Sequence, residues 1–93
     1  FNYSSTPDKF NKISEIIGIK MHNYSSQEKK LILFDKLQEL KESIGIIKSL
    51  KELGVRESDI PLLAHNALND ACIITNPREA AKEDIEKIFY KAM

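Results

Sequence analysis

The sequence predicts an all-α fold of about four to five helices, and both its composition and its spacing support this. Among the residues that favour strands, Val occurs once, Thr twice and Trp never, so only Ile and a few Tyr and Phe are plentiful. Lys, Glu, Leu and Ala, which favour helices, dominate instead. Apolar residues also recur at helical spacing between glycines, prolines and helix-capping residues. We therefore expect residues 1–93 to form a single helical domain or subdomain.

The first helix is expected to open at Thr6, whose hydroxyl can cap free backbone amides. Pro7 would then take the first helical position, where its missing N–H costs nothing. Gly18 is expected to end this helix, and a connector runs from Ile19 to Tyr24. The apolar residues at helical spacing are Phe10, Ile13, Ile16 and Ile17.

The second helix is marked by Ser25 and Glu28, which fit the S-x-x-E capping box, and Gly45 is expected to stop it. One apolar face is predicted from Leu33, Phe34, Leu37, Leu40 and Ile44. The run from Leu31 to Phe34 makes the helix apolar around more of its circumference than a surface helix requires. We expect this surface to need a partner, and the isolated chain to self-associate.

The second half of the chain predicts a short helical turn from Ser49 to Leu53, ended by Gly54. Asp59 or Ser58 is expected to cap the next helix, with Pro61 in its first turn. Its predicted inward residues are Leu62, Leu63, Ala67, Leu68 and Ala71. After a break at Thr75-Asn76-Pro77, a last helix is expected to carry Ile85, Ile88, Phe89 and Ala92 inward.

Charge and hydropathy exclude several classes of partner. The 14 basic and 14 acidic residues cancel, which argues against electrostatic binding of nucleic acid or anionic lipid. The longest apolar run has four residues, far short of the roughly 18 that span a bilayer. A single cysteine excludes an internal disulfide framework. The chain begins at Phe1 without a signal segment, so we expect a cytoplasmic piece of a longer protein.

Catalytic and metal-binding patterns are absent from the sequence alone. The nearest group of metal-ligand types is His65, Asp70 and Cys72, but residues 65 and 70 lie about 140° apart around a helix. Each glycine directly follows a predicted helix, so no phosphate-binding loop is expected. We predict no catalytic, cofactor-binding or metal-binding residue in this chain.

Residues 67–78, which read ALNDACIITNPR, resemble the extreme carboxyl terminus of iron-containing (group III) alcohol dehydrogenases. Glu83-Asp84-Ile85 and the ending at residues 88–93 continue the resemblance. Upstream, residues 45–55 are similar to the family segment G-I-P-x-x-L-x-x-L-G-V, with Ile47 in place of the usual proline. Phe1-Asn2 resembles the family stretch that begins just after its last metal-binding histidine.

This resemblance implies that the chain is the carboxyl-terminal part of the helical domain of a larger enzyme. Such enzymes bind NAD(P) in an amino-terminal α/β domain, and they hold Fe²⁺ or another divalent metal on one Asp and three His. The metal polarises an alcohol or aldehyde oxygen while the nicotinamide exchanges hydride with its carbon. All four ligands and the nucleotide-binding domain lie upstream of Phe1 in the family pattern, and neither His22 nor His65 matches a ligand motif. The chain is then scaffold and is not catalytic alone.

The resemblance also suggests a role for the turn that follows the predicted Cys72 helix. On one interpretation Cys72 lines the substrate cleft of the parent enzyme, where a small alcohol or aldehyde binds. On the other, which we favour, the segment is only structural, with Asn76 capping, Pro77 fixing the chain direction and Arg78 bonding helix carbonyls or a carboxylate. Asp70 is expected either to pair with Arg78 or to face solvent.

Two other classes of protein fit a neutral helical chain. A free-standing helical interaction module would also show amphipathic helices, and it predicts a complete core within these residues. A helix-turn-helix DNA-binding protein is disfavoured, because the segment 59–72 contains no Lys or Arg.

Overall fold

The computed structural model describes residues 1–20 and 22–93, and it contains helices and no strand in those ranges. The helices are α1 (Pro7–Ile16), α2 (Ser26–Ser43), α3 (Ile60–Leu68) and α4 (Lys82–Ala92), with 3₁₀ turns at Asn2–Ser4, Glu57–Asp59 and Ala71–Thr75. The predicted all-α class is thereby confirmed. The chain divides into two compact units, Phe1–Ile47 and Lys48–Met93, which are described separately.

The predicted connector Ile19–Tyr24 includes Met21, which lies outside the described residues. Among the helices of the described ranges, none has the length and apolar character that crossing a membrane requires.

The core of the first unit is small and centres on Tyr3 and Leu33, which are 6% and 2% exposed. Phe10 and Ile19 pack against this pair, and the Tyr3 and Phe10 ring centroids lie 5.6 Å apart. The Tyr3 hydroxyl donates to Asn11 Oδ1 at 2.9 Å, so the polar end of this buried ring is satisfied. The 3₁₀ turn at the amino terminus is thereby joined to α1.

Helix α1 begins at Pro7 and its last turn leads into Gly18 at φ +86°, as the sequence predicts. The predicted Thr6 cap is wrong, because the Thr6 side chain makes no capping hydrogen bond although it occupies the N-cap position. Ser14 is fully buried, and its hydroxyl donates to the Phe10 carbonyl one turn earlier at 2.9 Å. The remaining apolar residues of the predicted stripe, namely Ile13, Ile16 and Ile17, are exposed.

Helix α2 opens with the predicted capping box. The Ser25 N–H donates to Glu28 Oε2 at 2.8 Å, and the Glu28 N–H donates to Ser25 Oγ at 3.3 Å. The Ser25 hydroxyl also donates to Glu28 Oε2, and these bonds to the charged form lower the pKa of the Glu28 carboxyl. At its other end α2 stops at Ser43, and Gly45 just beyond it has φ +79°, the left-handed geometry that suits glycine.

The Glu28 interaction predicts a pH-dependent helix start. Because the folded-state pKa of Glu28 is lowered, its stabilising contribution is present above the unfolded-state pKa and is lost as pH falls through the folded-state value. We expect the urea midpoint to fall between pH 6 and pH 3, and to fall less steeply in Glu28→Gln. The glutamine side chain still accepts from the Ser25 N–H but carries no charge. Midpoints from circular dichroism would test this, and equal pH slopes in the two proteins would contradict it.

The core of the second unit forms where α3 packs on α4. Its fully buried residues are Ile60 and Ala64, one turn apart on α3. The predicted inward positions Leu62 and Ala71 are wrong: Leu62 is 64% exposed, and Ala71 is exposed in the 3₁₀ turn beyond the helix. The other predicted residues Leu63, Ala67 and Leu68 are half-buried.

The predicted caps of α3 are also wrong. Asp59 occupies the N-cap position, but its side chain makes no capping bond to α3, and Ser58 lies within the preceding 3₁₀ turn. The Asp59 carboxylate instead accepts from the Arg56 backbone N–H at 3.0 Å and from the Arg56 guanidinium at 3.1 and 3.2 Å. These bonds lower the pKa of the Asp59 carboxyl.

The predicted helical turn near Ser49 is a hydrogen-bonded turn that also closes the end of α4. The Ser49 N–H donates to Glu52 Oε2 at 2.8 Å, and Gly54 takes φ +92°. The Leu50 N–H donates to the Ala92 carbonyl at 2.8 Å, which satisfies a carbonyl left free at the end of α4. In α4 itself Ile85 and Phe89 are half-buried, whereas Ile88 and Ala92, predicted to face inward, are exposed.

Candidate functional site

The candidate site is the segment from Asp70 to Arg78, which connects α3 with the approach to α4 and is called here the Cys72 turn. The Asp70 carboxylate caps its 3₁₀ helix by accepting from the Cys72 N–H at 2.7 Å. The Thr75 hydroxyl donates to the Cys72 carbonyl at 3.0 Å. Both backbone polar groups of Cys72 are therefore held, while its side chain is exposed.

Asp70 is the acidic residue of this turn. Its pKa is lowered, chiefly because its carboxylate accepts the hydrogen bond from the Cys72 backbone N–H. From the sequence we expected Asp70 either to pair with Arg78 or to face solvent. In the structure its carboxylate is exposed and also caps the 3₁₀ helix. The sequence could have predicted this cap, because an Asp side chain that accepts from the backbone N–H two residues later forms an Asx turn. The Thr75 hydroxyl bond was not foreseen at all.

The second half of the turn carries the predicted structural residues Asn76, Pro77 and Arg78. The Asn76 side-chain amide donates to the Arg78 carbonyl, so it spans the proline. The Asn76 N–H donates to the Ile73 carbonyl at 3.1 Å, and its φ and ψ of −65° and 131° are the extended values that a following proline requires. These bonds support a bracing function for Asn76, while the role of Arg78 stays a prediction.

The two histidines lie in separate units. His65 is exposed on α3, with its Nε2 3.1 Å from the side-chain nitrogen of Asn69. His22 lies in an open polar depression of the first unit, whose lining includes Asp8, Glu15 and Lys29. Within residues 1–20 and 22–93, no group of three or more His, Cys, Asp or Glu side chains has a metal-binding arrangement. The described residues therefore do not fit an iron site of their own.

Comparison with known proteins places this geometry in a family. The family model for the carboxyl-terminal part of iron-containing alcohol dehydrogenases matches residues 1–93. The chain is 36% identical over 92 residues to lactaldehyde reductase of Escherichia coli, and 33% identical over 93 residues to NAD-dependent methanol dehydrogenase of Bacillus methanolicus. It covers 24% of the length of each of these relatives.

Solved structures agree with the sequence comparison. A 1,3-propanediol oxidoreductase crystal structure matches with a TM-score of 0.92 at 33% identity, over 99% of this chain and 24% of that one. An alcohol dehydrogenase from Oenococcus oeni matches with a TM-score of 0.90 at 34% identity, over the same shares. The chain belongs to the iron-containing alcohol dehydrogenase family and corresponds to its carboxyl-terminal region.

Proposed function

We propose that this chain is the carboxyl-terminal helical part of an oxidoreductase that interconverts alcohols with aldehydes or ketones, using a nicotinamide cofactor. The observation that carries the proposal is the family match over all 93 residues, supported by structural agreement at 33% identity. In this proposal the chain supplies helical scaffold and part of the substrate-cleft wall. A free-standing interaction module is less well supported, because such a module gives no reason for a match along the whole chain.

The divalent metal and NAD(P) bind to the upstream part of the parent in this proposal. The described residues offer no cluster of ligands for a metal, so no chemical step is assigned to them. In this proposal the parent enzyme is cytoplasmic, and its upstream part is the partner that packs against this chain. When that part is absent, the chain self-associates through its exposed apolar residues.

Cys72 is the residue proposed to touch the cleft. Its backbone is held by Asp70 and Thr75 while its thiol is exposed, so the turn presents a small, weakly polar side chain at a fixed position. Such a group limits the size of a small alcohol without competing for its hydroxyl.

A chimeric enzyme tests the proposed function. The matched carboxyl-terminal segment of E. coli lactaldehyde reductase is replaced by this chain, and nicotinamide-dependent reduction of lactaldehyde is measured. We expect activity within about tenfold of that of the unmodified reductase. The two segments have the same family fold, so the chimera is expected to keep the residues of the substrate cleft in their positions. The reductase lacking its segment is the negative control. A chimera that is folded by circular dichroism and binds the nicotinamide, yet is inactive, would contradict the proposal.

The same chimera tests the position of Cys72. Alkylation by iodoacetamide is expected to inactivate it, and a saturating alcohol substrate is expected to slow the loss. The Cys72→Ser chimera should resist this inactivation, which separates Cys72 from cysteines of the reductase portion. Equal sensitivity of the two chimeras would place Cys72 away from the cleft.

A further inference from the structure

The first unit carries an open apolar groove between α1 and α2. Its floor and walls are the side chains of Ile13, Ile17, Leu37 and Leu40, and its volume is about 430 Å³. Each of these four side chains is between 40% and 55% exposed. Ile13 lies on α1 and Ile17 at its C-cap, whereas Leu37 and Leu40 lie on α2. The two helices pack on each other, so the groove is a feature of the folded unit.

The total accessible surface of the chain is larger than its size predicts. The chain exposes 7195 Å². Even when the two units are counted as separate compact bodies of about 5 kDa each, size scaling predicts only about 6,600 Å². Only Tyr3 and Leu33 form the buried apolar core of the first unit in the described residues. The groove residues are apolar, exposed and outside this core, so burying them is favourable.

The rim of the groove indicates what kind of surface fits it. Lys36 and Glu39 form an ion pair with each other there, and Ser43 is the other polar residue of the lining. The rim therefore carries no net charge and does not call for a charged partner. An apolar cavity of about 150 Å³ holds one benzene, so this groove has room for two or three large apolar side chains. A helix presents such a set at positions i, i+3 or i+4, and i+7.

The length of the relatives suggests a source for that helix. They are about four times as long as this chain, and the match is to the carboxyl-terminal region of the family. We propose that the α1–α2 groove is the seat of an amphipathic helix from the upstream part of the parent polypeptide. This inference rests on one part of the proposed function, namely that the chain belongs to a longer parent polypeptide, and it does not depend on the activity of that parent. The helix places apolar side chains between Ile13 and Ile17 on one wall and Leu37 and Leu40 on the other.

Cysteine labelling in the reductase chimera tests the occupant. Leu40→Cys and Lys41→Cys are made separately in a Cys72→Ser background, and the labelled peptide is identified by mass spectrometry. The two residues are neighbours on the same helix and both are exposed, but only Leu40 lines the groove. Each rate of maleimide labelling is divided by the rate in the urea-unfolded chimera. We expect labelling at position 40 to be at least about tenfold slower than at position 41, at every protein concentration.

Three outcomes would overturn the inference. Equal labelling at the two positions shows an open groove, and protection at position 40 that disappears on dilution shows that a second copy occupies it. A chimera that fails to fold while the reductase folds counts against this inference and the proposed function together. Ile13→Cys, on the opposite wall, replaces Leu40→Cys if that variant alone is unstable. An active chimera with an open groove defeats only the inference, whereas an inactive chimera with a protected groove defeats only the proposed function.

Discussion

Replacing Leu33 by alanine is expected to lower the free energy of unfolding of the first unit by about 2–5 kcal/mol, the range for truncating a buried leucine. Leu33 is 2% exposed and forms the core with Tyr3, with Phe10 and Ile19 packed around it. Because these contacts come from three separate segments, their side chains cannot all move to fill the space that the truncation leaves. Hydrogen exchange within residues 7–16 and 26–43 should accelerate by a factor that corresponds to this loss.

Leu31→Ala is the matched control for Leu33→Ala. It removes the same atoms from the same helix at a side chain that is 52% exposed. Surface substitutions of this kind change stability by about 0.5 kcal/mol or less, and alanine is the better helix former. Equal acceleration of hydrogen exchange by both substitutions would show that Leu33 is not the centre of this core.

Helix boundaries were largely predictable because each is set by a few adjacent residues. The Ser25 and Glu28 capping box needs two side chains within one turn, and both of its bonds are present. Pro7 opens α1, and Gly18 and Gly45 follow α1 and α2 with positive φ angles that favour glycine. The prediction that Asp59 caps α3 was wrong for a similarly local reason, since the guanidinium of the nearby Arg56 donates to both oxygens of the Asp59 carboxylate.

Burial was predicted less well because it depends on what lies opposite a helix. Spacing assigned Leu33, Leu37 and Leu40 to one face of α2, yet only Leu33 is buried. The pattern shows which side chains are able to share a core and does not show where the core ends. The two exposed leucines line the groove, which the spacing did not locate. The expectation that the Leu31–Phe34 run needs a partner surface stays a prediction.

In the candidate site, too, local contacts follow from nearby residues, whereas contacts with distant residues do not. The resemblance singled out Cys72 and the residues Asn76, Pro77 and Arg78, and the structure adds the local bonds that hold them. Asp70 and Thr75 hold the backbone of Cys72 on its two sides, which ordinary turn chemistry explains. These local bonds do not show what faces the exposed thiol, because such a contact depends on residues distant from the turn.

Ile60→Ala is expected to have the largest effect in the second unit, again about 2–5 kcal/mol of unfolding free energy. Ile60 is fully buried at the start of α3, and the equally buried Ala64 lies one turn further on. Because alanine is small, Ile60 is the larger of these two fully buried side chains and its truncation leaves the larger space. Hydrogen exchange within residues 60–68 and 82–92 measures the loss.

Leu62→Ala provides the control, and it also decides between the predicted and the observed face of α3. At 100° per residue Leu62 lies about 200° around the helix from Ile60, so the two side chains cannot share a core. Because Leu62 is 64% exposed, its truncation is expected to change stability by about 0.5 kcal/mol or less. If Leu62→Ala instead accelerated exchange as much as Ile60→Ala, the inward face would be the one that the spacing predicted, and the observed packing of α3 on α4 would be wrong.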